Sequence, residues 1–270
     1  MNPASKNIQL QYQGFLNTHL LWKQHVVYNL LQLELPHLQC QQLTELYVPN
    51  LRLGKRVEQF VITALKQDKT IKILAQNVQI QNKKITVGEL DCILRKIDRP
   101  IHLEIVYKFY LYDATVGGNE LAHWIGPNRN DNLLKKLSKL RDQQLPLLFN
   151  KHAKETLIAL NLKSEDLLQR VCFKAQLFVP YKSEISFNLL NKDCVQGFYV
   201  HFSALEQFSL CKFYTPKKMD WLLEVQTQVP WQSFTIFYED VTVLIAAQRA
   251  PLCWIKFPNG DLQKFFIVWW

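Results

Sequence analysis

Four side chains between Gly88 and Tyr110 have the types and spacing to do chemistry: Glu89 and Asp91 in GELD, then Glu104 and Lys108 in HLEIVYK. Strand residues alternate between faces, so Glu104 and Lys108 share one face of the second segment, while Glu89 and Asp91 share one face of the first. If the chain reverses between Ile97 and Asp98, antiparallel pairing sets Asp91 opposite Glu104, with Cβ atoms about 5 Å apart. Opposed acids repel. Such a pair persists because it is solvated, shares a proton or binds a cation. A one-residue slip would pair Asp91 with Leu103 or Ile105 and scatter the cluster. A solvated sheet face with neighbouring Lys and Arg is the plain alternative. His102, one same-face step before Glu104, is either a ligand, an acid for a leaving group, or simply hydrogen-bonded.

The segments that must position these groups are legible from periodicity. GKRVEQFVITALKQ places Val57, Phe60, Val61, Ala64 and Leu65 on one helical face, with Glu58 at its border. Three strand-like runs follow, TIKILAQNVQI, KITVGELDCILRK and PIHLEIVYKFYL, which predict an antiparallel meander. After a glycine-bearing loop, DNLLKKLSKLRDQQL turns Leu133, Leu134, Leu137 and Leu140 one way and Lys135, Lys136 and Lys139 the other. Further on, SEDLLQRV carries an N-cap and an acidic first turn, and FKAQLFVPY alternates as a strand. The stripe Leu20, Leu21, Val27, Leu30 and Leu31 predicts a helix closed by Pro36. PKKMDWLLEV is expected to be a short helix. The terminus FTIFYEDVTVLIAAQRAPLCWIKFPNGDLQKFFIVWW reads as strands with a Pro-Asn-Gly-Asp turn.

The 270 residues suit a single compact unit: a helical lead-in (1–50), a core (51–215) and a C-terminal α/β extension (216–270). Lys and Arg number 32 against 23 Asp and Glu, a net charge of +9 that permits DNA or RNA as a partner. Arg129, Lys135, Lys136, Lys139 and Arg141 could track a phosphate backbone, or be a wet helix face. The six cysteines show no CxxC pair and read as reduced and structural. No signal peptide or membrane-length apolar run is present, so a cytoplasmic protein without membrane contact is expected. Most tryptophans read as core.

The order of GKRVE on a helix, GELD on a strand and HLEIVYK on the next resembles the PD-(D/E)XK nuclease superfamily, and within it the bacterial domain of unknown function family 1853. The family resemblance extends to WIGPNRNDNLLKKLSKLRDQQL and more weakly to PKKMDWL. It implies an α/β (α+β) fold with a central mixed β-sheet flanked by helices, a restriction-endonuclease-like core. It also implies a metal-dependent nuclease: Asp91 and Glu104 as ligands to Mg²⁺ or Mn²⁺, Glu58 supporting, and Lys108 orienting the nucleophile or offsetting transition-state charge. In most of the superfamily the lysine stands two positions after the acid. That place is Val106 here, and Lys108 lies about 13 Å along the strand from Glu104. Either Lys108 leans back, or Lys135 or Lys139 substitutes, or the site binds nucleic acid or a protein partner without catalysis.

Overall fold

A computed structural model of the chain describes residues 3–24, 27–36, 43 and 51–270. The fold is mixed α and β, with a large central mixed sheet flanked by helices. Helices α1 (Pro3–Asn17) and α2 (Leu53–Lys66) precede the meander β1 (Ile71–Asn82), β2 (Ile85–Lys96) and β3 (Arg99–Tyr112). Then come β4 (Trp124–Ile125), α3 (Leu133–Lys139), a π-helical turn (Leu140–Gln144), a 3₁₀ turn (Leu145–Phe149) and α4 (Lys154–Ala159). The chain continues through β5 (Leu168–Pro180), β6 (Val195–His201), β7 (Lys212–Tyr214), α5 (Phe234–Ala246), β8 (Leu252–Lys256) and β9 (Leu262–Val268). Hydrogen bonding orders the described strands β1-β2-β3-β5-β6-β9-β8-β7, with β4 on β3. No described helix is long and apolar enough to cross a membrane.

By contact the chain forms two units, one of residues 20–107 and 135–174 and one of residues 1–19, 108–134 and 175–270. We call them the hairpin unit and the terminal unit. In the hairpin unit, α2 forms because its apolar residues recur at helical spacing: Val57, Phe60, Val61, Ala64 and Leu65 are all buried. The β2–β3 turn falls at Ile97 and Asp98 as expected, with Lys96 paired to Arg99 and Ile97 in the left-handed region at φ 55°. Ile80, Leu90 and Ile93 of the meander pack with Leu147, Leu148, Ala153 and Leu157 from the segments after α3. Gly88 packs closely here: a Cβ would lie 2.6 Å from Leu147 Cδ2, so with the small residue of GELD the Leu147 side chain need not shift to lie over β2.

The terminal unit is built on parallel pairs β5–β6 and β6–β9 and antiparallel pairs β8–β9 and β7–β8. Phe213 stacks on Phe237 at 4.2 Å and both join Phe198, Phe265 and Ile267 in one aromatic-rich core. The Pro-Asn-Gly-Asp turn is in place between β8 and β9, Gly260 taking φ 94°.

Three sequence expectations are corrected. Residues 234–246 form α5 and not a strand, because Phe237 and Val241, four apart, both drop into that core, and tertiary burial outweighs the β propensity of FTIFYEDVTV. The apolar residues of 20–33 do not form a helix over the described positions. Bends and turns occupy 21–24 and 27–29, and the run meets β5 at the bridges Leu20 to Lys174 and Gln32 to Val171. Ser164–Asp166 is a single 3₁₀ turn that leads directly into β5, so the acidic cap starts no α-helix. Cys40 lies outside the described residues; Cys92, Cys172, Cys194, Cys211 and Cys253 are free and buried.

Candidate functional site

The β2–β3 ladder runs from Lys96 opposite Arg99 to Cys92 opposite Leu103, and the next pair in that register is Asp91 with Glu104. At that point the ladder ends. β2 continues on β1, with Val78 opposite Leu90 and Gln79 opposite Glu89, while β3 no longer pairs with it. Asp91 sits at the fork, and its Oδ2 accepts a hydrogen bond from the Ile105 backbone N–H at 2.8 Å. The side chain thus takes the place of a ladder carbonyl and fixes its own position relative to the strand that carries Glu104.

Burial is the first cause that pushes the Asp91 carboxyl up to about 7, and the Glu104 charge is the second. Glu58 adds to the repulsion, whereas the Ile105 N–H and the charge of Lys136 work against it. Glu58, on the border of the buried face of α2, is itself raised: burial leads, and Glu89 and Glu104 contribute. Opposing that rise, Lys55 lies 2.8 Å from Glu58 Oε2 and also pairs with Glu89. Lys55 is raised in turn. Burial works to lower it, but hydrogen bonds and charges from Glu58 and Glu89 prevail. Four acids from α2, β2 and β3 therefore share one electrostatic neighbourhood.

Glu104 is fully buried and held at both oxygens. His102 Nε2 lies 2.9 Å from Oε1, and Gln144 Nε2 donates to Oε2 at 2.6 Å. Gln144 comes from the π-helical turn, and its Oε1 accepts from Lys136 Nζ at 2.7 Å. Gln169 Nε2 lies 3.5 Å from His102 Nδ1. A donor at Nδ1 leaves the proton on Nε2, the tautomer that can donate to Glu104. The chain Lys136–Gln144–Glu104–His102 brings two nitrogen partners to a buried carboxyl group and fixes its orientation. π-Turns recur at functional sites.

The structure places the remaining sequence candidates elsewhere. Lys108 belongs to the terminal unit, where it pairs with Asp131 at 2.5 Å. Arg129, in the same unit, pairs with Asp113 at 2.9 Å and lies over the Trp270 ring at 4.6 Å. Lys135 and Lys139 are exposed on α3, and Arg141 pairs with Asp142. Of the helix lysines, Lys136 is the one whose charge reaches Asp91. Two participants were missed in the sequence. Lys55 stands three residues before Glu58, a spacing that predicts a helical ion pair. Gln144 carries no charge and lies in an irregular helix, so nothing in its type or spacing marks it.

The donor set suits a hard divalent cation, which commonly takes one or two carboxylates and completes its shell with water and phosphate oxygens. Asp91 and Glu104 would be those two. Among the described residues, no group of three or more His, Cys, Asp or Glu side chains is arranged to hold a metal ion. No curated protein and no solved structure matches this chain. Residues 11–265 match the family described as Domain of unknown function (DUF1853), and the chain belongs to that family.

Proposed function

We propose that the hairpin unit is a PD-(D/E)XK-like core that hydrolyses phosphodiester bonds of DNA or RNA with Mg²⁺ or Mn²⁺. The carrying observation is the fork at Asp91, where opposed acids of β2 and β3 meet and burial with repulsion raises Asp91 to about 7. A cation relieves that repulsion. Asp91 and Glu104 would hold the ion, which would supply a more acidic bound water and offset charge developing on the phosphoryl group. His102 and Gln144 orient Glu104, Lys136 provides the nearby positive charge, and Glu58 with Lys55 tunes the local field. Exposed Lys135 and Lys139 attract the polyanion. The order α2, β2, β3, α3, with Glu58, Asp91, Glu104 and Lys136 in sequence, supports the superfamily reading. Free buried cysteines fit a reducing compartment, so we place this activity in the cytoplasm.

The test incubates purified protein with plasmid, single-stranded DNA and RNA in Mg²⁺, Mn²⁺ or EDTA, beside Asp91→Asn and Lys136→Gln. Cleavage that needs the cation and falls at least about 100-fold in Asp91→Asn is the expected result. A second reading has its own observation: Val106 occupies the motif's lysine position, and Lys108 is engaged with Asp131. On that reading the core binds nucleic acid or a protein without cutting. Binding without cleavage, insensitive to Asp91→Asn but weakened in Lys135→Ala and by salt, would replace the first reading with the second.

A further inference from the structure

The terminal unit holds a hollow of about 220 Å³ lined by Lys108, Asn128, Asn130, Asp131, Lys218 and Trp221. We propose that this hollow is a phosphate-binding site in which the ammonium groups of Lys108 and Lys218 and the side-chain amides of Asn128 and Asn130 receive one phosphoryl group.

Its walls are built and not incidental. The loop from Gly126 to Asp131 is closed by hydrogen bonds from Gly126 N to Asp131 O and from Arg129 N to Gly126 O, each 2.8 Å. Trp270 Nε1 donates to Pro127 O at 3.0 Å, and the Ala250 N–H donates to Asn128 Oδ1 at 2.9 Å. The second bond occupies the Asn128 carbonyl and leaves its Nδ2 as the available donor. Lys218 is an exposed residue whose Nζ rests 3.2 Å from the centroid of Trp221 and 5.3 Å from that of Phe109. Trp221 is held from behind: its carbonyl accepts from Gln176 Nε2 at 3.2 Å, and buried Lys264 Nζ lies 3.4 Å from the same oxygen.

Charge decides the ligand's sign. Among the described residues, Lys108 and Lys218 face one carboxylate in the hollow, Asp131, which is bonded to Lys108 and not to Lys218. Packing around the amine and then the charge of Lys108 lower Lys218 to about 8, with Asp131 opposing, so it is still charged at neutral pH. An anion between the two lysines would relieve their repulsion. Size and donor geometry decide its kind. The volume is below the range of drug-sized pockets, and the donors arrive separately from β3, the Gly126 loop and the Lys218 turn. Spread donors match the several oxygens of a phosphoryl group, for which lysine acts as a point-charge partner. Trp221 is only 8% exposed and its face is covered by Lys218, so the site would take the phosphate and not stack a base.

This assignment does not depend on the carboxylate centre, and the test is run in EDTA so that cleavage plays no part. Titration calorimetry of the full chain with inorganic phosphate is compared among wild type, Lys218→Gln, Asn130→Asp and Lys182→Gln, an exposed lysine lining a different hollow. In parallel, fluorescence anisotropy follows a short single-stranded DNA with and without a 5′-phosphate. Phosphate binding weakened about tenfold in Lys218→Gln and Asn130→Asp but kept in Lys182→Gln is the expected result. Loss confined to the 5′-phosphorylated DNA identifies a terminal phosphate, equal loss for both DNAs a backbone phosphate, and loss for inorganic phosphate alone a small phosphate ester. Each supports the site. Should Lys218→Gln not fold, exposed Asn130→Asp decides alone. No heat with phosphate, or unchanged affinity in Asn130→Asp, overturns the proposal.

Discussion

The two charged centres of this protein differ in sign, burial and wiring. In the hairpin unit, acids from three elements crowd a fork in the sheet, and Glu104 is completely buried with both oxygens bonded. In the terminal unit, lysines line an open hollow with side chains about a third or more exposed, Lys108 at 35%. The contrast teaches that like charges persist in a fold for different reasons. Buried acids are retained by donors and by proton uptake at Asp91, whereas the lysines are retained by solvent and an aromatic face. Only the first arrangement couples its charge tightly to folding.

The largest effect expected from that difference is on Glu104. Glu104→Leu strands the His102 Nε2 and Gln144 Nε2 donors in the interior and should cost about 3 kcal/mol in urea unfolding. A loss below about 1 kcal/mol would mean that the buried chain is not wired as described.

Asp91→Asn comes next and has the opposite sign. The folded Asp91 holds its proton up to about 7, while the unfolded residue releases it near 3.8. Between those values the native state binds more protons, so the Asp91 contribution to stability falls as pH rises through that window. Asparagine still accepts from Ile105 N–H but never ionises. The variant should therefore be more stable than wild type at pH 8, by about 1–2 kcal/mol, and lose that advantage near pH 4. Thermal melts across pH check this, and a pH-independent difference would contradict it. Magnesium at pH 8 should also raise the wild-type melting temperature and leave Asp91→Asn unmoved.

Smallest is Lys108→Gln. Its ion pair with Asp131 is partly exposed, so the stability change should stay within about 1 kcal/mol. Cation affinity of the hairpin unit should not change at all, while phosphate affinity of the terminal unit weakens. The reverse pattern would return Lys108 to the role that the sequence motif implies.

Much of the hairpin centre was legible because strand alternation and one turn determine it. Once the chain reverses at Ile97 and Asp98, Asp91 must face Glu104, and α2 must present Glu58 at the edge of its apolar stripe. What alternation could not supply is the burial of both faces of β3. Residues 101 to 107 are buried throughout, so elements packed on both faces of β3 cover it, and long-range topology sets those elements. The same limit hid Gln144, placed by a π-turn, and the run of 20–33, which turns on itself and bridges to β5 at Leu20 and Gln32 instead of forming a helix. Lysine numbering along β3 was equally readable. Its consequence, that Lys108 pairs with Asp131 while the charge of Lys136 acts on Asp91, depends on where α3 returns.

The central claim is that the acids at the fork hold a divalent cation. Calorimetric titration with Mn²⁺ at pH 8 tests it most directly, using wild type, Asp91→Asn, Glu104→Gln and Lys218→Gln. One site is predicted in wild type and Lys218→Gln, absent in Asp91→Asn and Glu104→Gln, with wild-type affinity falling about tenfold per pH unit below 7. Mn²⁺ binding that survives Asp91→Asn, or no binding by the wild type, would contradict the account.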